Sequence, residues 1–127
     1  MNIRVAQNGY GTAQRNVGTP RAVEIDVLAQ ITRTLRAAEA ARETEYAAFV
    51  DALQANAELW RIFAQDLSDI GNGLPLELRR GLFALAGFVH DETNRILLNG
   101  TTSEELCAIN HDILTGLRQS NPVEAGL

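Results

Sequence analysis

The sequence has few of the residues that stabilise secreted or metal-bound domains. Cys107 is the single cysteine among 127 residues, so neither an intramolecular disulfide nor a cysteine-based zinc site can form. We therefore expect a reducing compartment. No stretch approaches the roughly 18 apolar residues of a membrane helix, and the N-terminus lacks the apolar run of a signal peptide. These absences predict a cytoplasmic protein with no membrane association.

Lysine is absent, and all eleven basic residues are arginine. The net charge is −5 at pH 7, whereas affinity for nucleic acid or anionic lipid depends on clustered positive charge. Direct binding of nucleic acid is therefore not expected. Alternation of apolar and polar residues with a period of two never lasts long enough for a strand. The sequence therefore predicts an all-α fold.

Apolar residues spaced three and four apart predict four helices: three at about 20–42, 45–68 and 75–99, and a fourth that ends near residue 118. Thr19 and Pro20 provide a start for the first helix. Two alternatives are open for the region that follows. A break at residues 42–44, with Thr44 capping the second helix, is favoured because large apolar residues are lost before it. The alternative is one continuous helix of about 50 residues and about 75 Å.

The chain is expected to form one helical domain at residues 19–118, between a flexible N-terminal segment at 1–18 and a frayed tail at 119–127. Short links between helices predict an antiparallel bundle. Gly100 provides a stop for the third helix, and residues 102–105 fit a capping box before the fourth. Gly81 and Gly87 interrupt the third helix. Each costs about 1 kcal/mol relative to alanine, and we expect close backbone packing to offset this cost.

Two histidines stand beside acidic residues but do not form a metal-binding pattern. The di-iron bundle motif needs Glu three positions before His, whereas Gly87 precedes His90 and Ala108 precedes His111. We therefore predict no metal and no cofactor. Cys107 and His111 are four residues apart and can share a helix face. Neither an orienting third group nor an oxyanion pocket is evident, so we expect an inert thiol and no enzymatic activity.

The first helix carries more apolar surface than one core stripe requires. Val23 and Val27 widen the apolar arc around Leu28 and Ile31. The surplus fits the mode in which an amphipathic helix lies in an apolar groove. The N-terminal segment, a second copy in a homodimer, and another protein remain open as partners. The predicted partner-binding residues on this helix are Val23, Val27, Leu28 and Ile31.

A corner between the second and third helices is rich in turn-forming residues. Trp60 lies on the apolar stripe before it and is expected in the core. Asp66 is expected to accept hydrogen bonds from backbone or from Asn72, and Leu74 and Pro75 lead into the third helix. Asn110, at a nearly core-facing position, is expected to satisfy loop backbone groups. We predict structural roles for all of these residues.

With these residues the chain resembles the FlaF family of flagellar biosynthesis regulators, alphaproteobacterial factors of flagellin secretion and assembly. The resemblance covers nearly the whole chain and is most specific at the corner. Ile70 stands where the family commonly has Pro or a similar residue. The matching residues are Tyr10, Thr19, Pro20, Arg21, Ala22, Val23, Glu24, Leu28, Thr32, Arg33, Leu35, Asn56, Leu59, Trp60, Asp66, Leu67, Gly71, Asn72, Leu74, Pro75, Leu78, Arg79, Ile109, Asn110, Gly116 and Leu117.

The resemblance implies a cytoplasmic helical protein needed for flagellin secretion or filament assembly. Such proteins work alongside FlbT, a translational regulator of flagellin messenger RNA. The leading hypothesis is an export chaperone that holds the terminal helices of flagellin through its first helix and Tyr10. The alternative is a regulator acting through FlbT or the messenger RNA. For direct RNA contact the candidates are Arg33, Arg36 and Arg42. The net negative charge favours contact through FlbT.

Overall fold

The computed structural model describes residues 20–69, 71 and 73–119, the side chains of residues 20–24 excepted. Within these residues the chain forms four helices and no strand, which confirms the predicted all-α fold. The predicted flexible segment at 1–18 and most of the predicted tail lie outside this part of the chain. The helices are α1 (Pro20–Ala40), α2 (Tyr46–Ser68), α3 (Leu76–Asn99) and α4 (Glu104–Gln119).

The break between α1 and α2 is confirmed, and the single long helix is wrong. Residues 41–44 form a turn. The Thr44 hydroxyl donates to the Ala41 carbonyl, 3.2 Å away, and Glu45 is the residue before α2, with no side-chain capping bond. The expected cap by Thr44 is therefore wrong, because its hydroxyl is bonded back towards α1.

Two glycines with positive φ shape the links around α3. Gly100 has φ 72°, and its N–H donates to the Ile96 carbonyl at 2.9 Å, so it ends α3 as predicted. Gly73 has φ 85° in the corner, where Pro75 immediately precedes α3. The expected close packing at Gly81 and Gly87 is wrong for the described residues, since a Cβ at either position meets no atom within 4 Å.

The helices form an antiparallel bundle in which α1 packs on α2 and α4, and α2 packs on α3. Contacts between α3 and α4 are sparse. One core cluster surrounds Trp60, and a second surrounds Leu28. Phe63 and Ile113 pack against both. None of the helices described here is long and apolar enough to span a membrane.

Candidate functional site

Two predicted partner-binding residues of α1 lie in the core. Leu28 is 0 % exposed and Ile31 is also buried, in a cluster with Leu59 of α2 and Leu114 of α4. Val27 is half-buried at the edge of that cluster. The expected free apolar face is therefore wrong at Leu28 and Ile31, because two neighbouring helices use the wide arc of α1. Tyr10 and the side chain of Val23 lie outside the described residues.

Three helices meet in a buried polar network around Asn110. The indole Nε1 of Trp60 donates to Asn110 Oδ1 at 2.9 Å. Asn110 Nδ2 donates to Asn56 Oδ1 at 2.7 Å and lies 3.1 Å from Thr32 Oγ1. The Thr32 hydroxyl in turn donates to the Leu28 carbonyl. The expectation that Asn110 serves loop backbone is wrong, since its amide connects α1, α2 and α4 within the core.

The network explains why polar residues occupy these positions. Asn56 and Asn110 are both fully buried, and burial of an amide is favourable only when hydrogen bonds replace those to water. Asn56 Nδ2 has no partner among the described atoms. A slip of one helix against another would leave further groups unpaired, so the network fixes the register of the bundle.

At the corner the backbone turns with help from Asp69. Its carboxylate accepts from the Gly71 N–H at 3.4 Å, and its own N–H donates to the Asp66 carbonyl at 3.2 Å. Leu74 is half-buried and Pro75 is exposed. Asn72, predicted to bond across this corner, lies outside the part of the chain that is described.

At the other end of the bundle, Glu39 reaches from α1 to the start of α4. Its Oε1 accepts from both the backbone N–H and the hydroxyl of Ser103, each at 2.7 Å. A carboxylate beside a helix N-terminus is favoured by the helix dipole. Ser103, the residue before α4, therefore donates its hydroxyl to Glu39.

Arg42 completes this junction. Its guanidinium lies 3.2 Å from Glu39 Oε2, donates to the Thr101 carbonyl at 2.9 Å and stands 4.1 Å above the Phe49 ring. Partial burial raises the pKa of Glu39, but the bonds from Ser103 and Arg42 together lower that pKa below its ordinary value. Sequence reasoning missed this junction because Glu39 stands 64 residues before Ser103, within an alanine-rich stretch.

The Cys107–His111 pair has no support from the structure. Cys107 is buried and His111 is exposed. Burial raises the pKa of the Cys107 thiol, and Arg36 lowers it by less. No group of three potential metal-ligating side chains occurs among the described residues.

A partly exposed apolar stripe follows α3. Leu78, Leu82, Leu85, Val89 and Ile96 repeat at the spacing of a core stripe. The stripe is fully buried at Val89 and Ile96, half-buried at Leu85 and Leu82, and 49 % exposed at Leu78. At the start of α3 the stripe thus presents Leu78 and part of Leu82, which the other helices do not fully cover.

One comparison with known proteins gives a match. The model of the family described as flagellar protein FlaF matches residues 6–117. Because the match covers most of the 127 residues, the chain belongs to this family. Comparison with curated proteins and with solved structures gives no match.

Proposed function

We propose that this member of the FlaF family binds flagellin as an export chaperone and acts in flagellin secretion and filament assembly. The observation that carries the proposal is the exposure of Leu78, at a core-type position of the stripe at the start of α3. The terminal helices of flagellin are amphipathic and need an apolar surface before export. A stripe that already has the helical repeat offers such a helix the contacts of an additional bundle helix.

The position of the stripe favours an open binding groove. In the antiparallel bundle the start of α3, which carries Leu78, and the end of α4 lie at the same end, and Ile113 and Leu117 of α4 are half-buried. Because α3 and α4 make few contacts with each other, a partner helix is expected to pack beside both. Binding would bury these side chains. Each Å² of apolar surface removed from water contributes about 25 cal/mol of favourable free energy.

This assignment moves the proposed contact away from Leu28 and Ile31. Leu28 is 0 % exposed and Ile31 only 9 %, so these side chains offer little apolar surface to a partner. Tyr10 and Val23 stay predictions, because nothing in the structure describes their side chains. Val27, at the edge of the Leu28 cluster, stays a predicted secondary contact.

A direct test uses the purified full chain, purified flagellin, and peptides of the two flagellin termini. Titration calorimetry should show a complex that Leu78→Asp weakens at least tenfold. Leu98→Asp is the matched control, because Leu98 lies on the same helix and is 84 % exposed. Circular dichroism should show both variants folded, and Leu78→Ala provides a milder change. Tyr10→Ala tests the N-terminal segment separately.

Two outcomes would contradict the proposal. The first is no complex with any flagellin of the host. The second is equal flagellin affinity for the Leu78→Asp and Leu98→Asp variants. Binding of FlbT in place of flagellin, lost on Leu78→Asp, would support the regulatory alternative.

A further inference from the structure

A second face of α3 has contact features that the bundle does not use. Phe83 is 51 % and Phe88 is 37 % exposed. The space above Gly81 and Gly87 is open in the described structure. Each glycine costs a helix about 1 kcal/mol relative to alanine, and no packing among the described residues offsets this cost. The face therefore fits a surface that contacts another molecule.

The residues of this face are arranged for close approach of a helix. At about 100° per residue, Arg80, Ala84, Gly87 and Asp91 fall within an arc of about 60°. Phe83 borders one side of this arc and Phe88 the other. A helix that approaches the small central residues places its own large side chains in the open space above Gly87. Gly81 lies about 90° from the centre of this arc and is not part of it. The arc is called the α3 outer face below.

The charges of the α3 outer face are self-complementary. They run Glu77, Arg80, Asp91 and Arg95 along the helix. A second copy running in the opposite direction, with Ala84 opposite Gly87, brings Arg80 opposite Asp91 and Glu77 beside Arg95. Two-fold symmetry repeats both pairs. A parallel copy would instead oppose Arg80 to Arg80 and Asp91 to Asp91, so the charges select the antiparallel arrangement.

Both arginines have room to take part. Arg80 lies 3.6 Å from Glu77 of its own chain, and Arg95 lies 2.7 Å from Glu92. Their side chains are nevertheless 69 % and 53 % exposed. The Arg80–Glu77 pair is exposed at both ends and contributes little stability, so its exchange for a pair across an interface is inexpensive. Arg95 keeps its bond to the buried Glu92, and its guanidinium has further N–H donors for Glu77 of a second copy.

We propose that the protein forms an antiparallel, two-fold symmetric homodimer through the α3 outer face. The aromatic rings, Ala84 and Gly87 supply the packing, and the charge pairs set the register. The surface is a single helix pair, so the dimer is weak and reversible. Leu78 lies about 150° around α3 from the centre of this face. The dimer therefore leaves the stripe proposed for flagellin free and does not depend on that proposal.

Sedimentation equilibrium of the full chain tests the dimer by charge exchange. Arg80→Glu and Asp91→Arg should each raise the dimer Kd by about tenfold, because each reverses two symmetry-related pairs. The double variant should restore the wild-type Kd. An equimolar mixture of the two single variants should form a heterodimer more tightly than either forms its homodimer. Asp112→Arg, at an exposed position of α4, should leave Kd unchanged.

Phe83→Ser tests the same surface without changing any charge. It should weaken the dimer, and an unchanged circular dichroism spectrum should show that the variant is folded. A wild-type chain that is monomeric up to about 1 mM would overturn the proposal. A dimer unaffected by Arg80→Glu, Asp91→Arg and Phe83→Ser would overturn it as well, because another surface would then join the copies.

Discussion

Trp60 of α2 and Asn110 of α4 are joined by a buried hydrogen bond of 2.9 Å between the indole Nε1 and Oδ1. The same amide binds Asn56 and contacts Thr32, so one side chain holds two other helices. An indole N–H is a donor only, and its acceptor in a core must come from a neighbouring side chain or backbone group. The pair thus links an aromatic core residue to the relative position of α2 and α4.

Replacement of Asn110 by Leu should destabilise the protein by about 2–6 kcal/mol. The change leaves the Trp60 N–H and the Asn56 carbonyl without their partner, and each unpaired buried group costs about 1–3 kcal/mol. Urea unfolding followed by Trp60 fluorescence measures the loss. Thr115→Leu, an exposed position on the same helix, is the control and should change stability by less than about 0.5 kcal/mol. Equal stability of the Asn110→Leu variant and wild type would contradict the role of the network.

Leu28→Ala should destabilise by about 2–5 kcal/mol, because Leu28 is fully buried and the change leaves a cavity. Val27→Ala removes a side chain that is only half-buried one position earlier, and it should cost less. Thermal and urea unfolding of the two variants provide the comparison. If Leu28→Ala unfolded like wild type while flagellin binding fell, Leu28 would be a contact surface after all.

Much of the fold follows from local sequence. Gly100 ends α3 because its backbone adopts a positive φ that glycine tolerates. The apolar repeats predicted the four helices and most of their boundaries to within a few residues, since burial of one stripe per helix determines where each helix forms. These signals act over a few residues, and one sequence is enough to find them.

The site was harder to predict because it depends on which helices become neighbours. The wide apolar arc of α1 indicates two packing surfaces, but periodicity does not tell whether α2 and α4 or a partner covers Leu28. Glu39 and Ser103 illustrate the same limit, since their bond requires that the end of α1 meet the start of α4. Leu78 has the spacing of a core residue, and its exposure depends on the sparse contact between α3 and α4.

Replacement by alanine should change the free energy of unfolding in opposite directions at two glycines, Gly87 within α3 and Gly100 just after it. Gly87→Ala should stabilise the monomer by about 0.5–1 kcal/mol, because the helix gains propensity and the added Cβ meets open space. Gly100→Ala should destabilise by about 1 kcal/mol, because φ at this position is 72°. Unfolding at protein concentrations below the dimer Kd, where the chain is monomeric, measures the change in free energy for both variants. A destabilising Gly87→Ala would show that the space above it is filled within the monomer.

The junction at Glu39 predicts a dependence of stability on pH. The pKa of Glu39 lies below its ordinary value of 4.5, because the bonds from Ser103 and Arg42 outweigh the effect of partial burial. A carboxyl group with a lowered pKa in the folded state stabilises the protein above its unfolded pKa, and the contribution disappears as pH falls through the folded pKa. Wild type should therefore exceed Glu39→Gln in unfolding free energy at pH 7, and the difference should shrink below pH 4.5.

Ser103→Ala supplies the control through a double-mutant cycle, since it removes the hydroxyl that binds Glu39. The two changes should be non-additive at pH 7, and additive effects would mean that Glu39 does not act through Ser103.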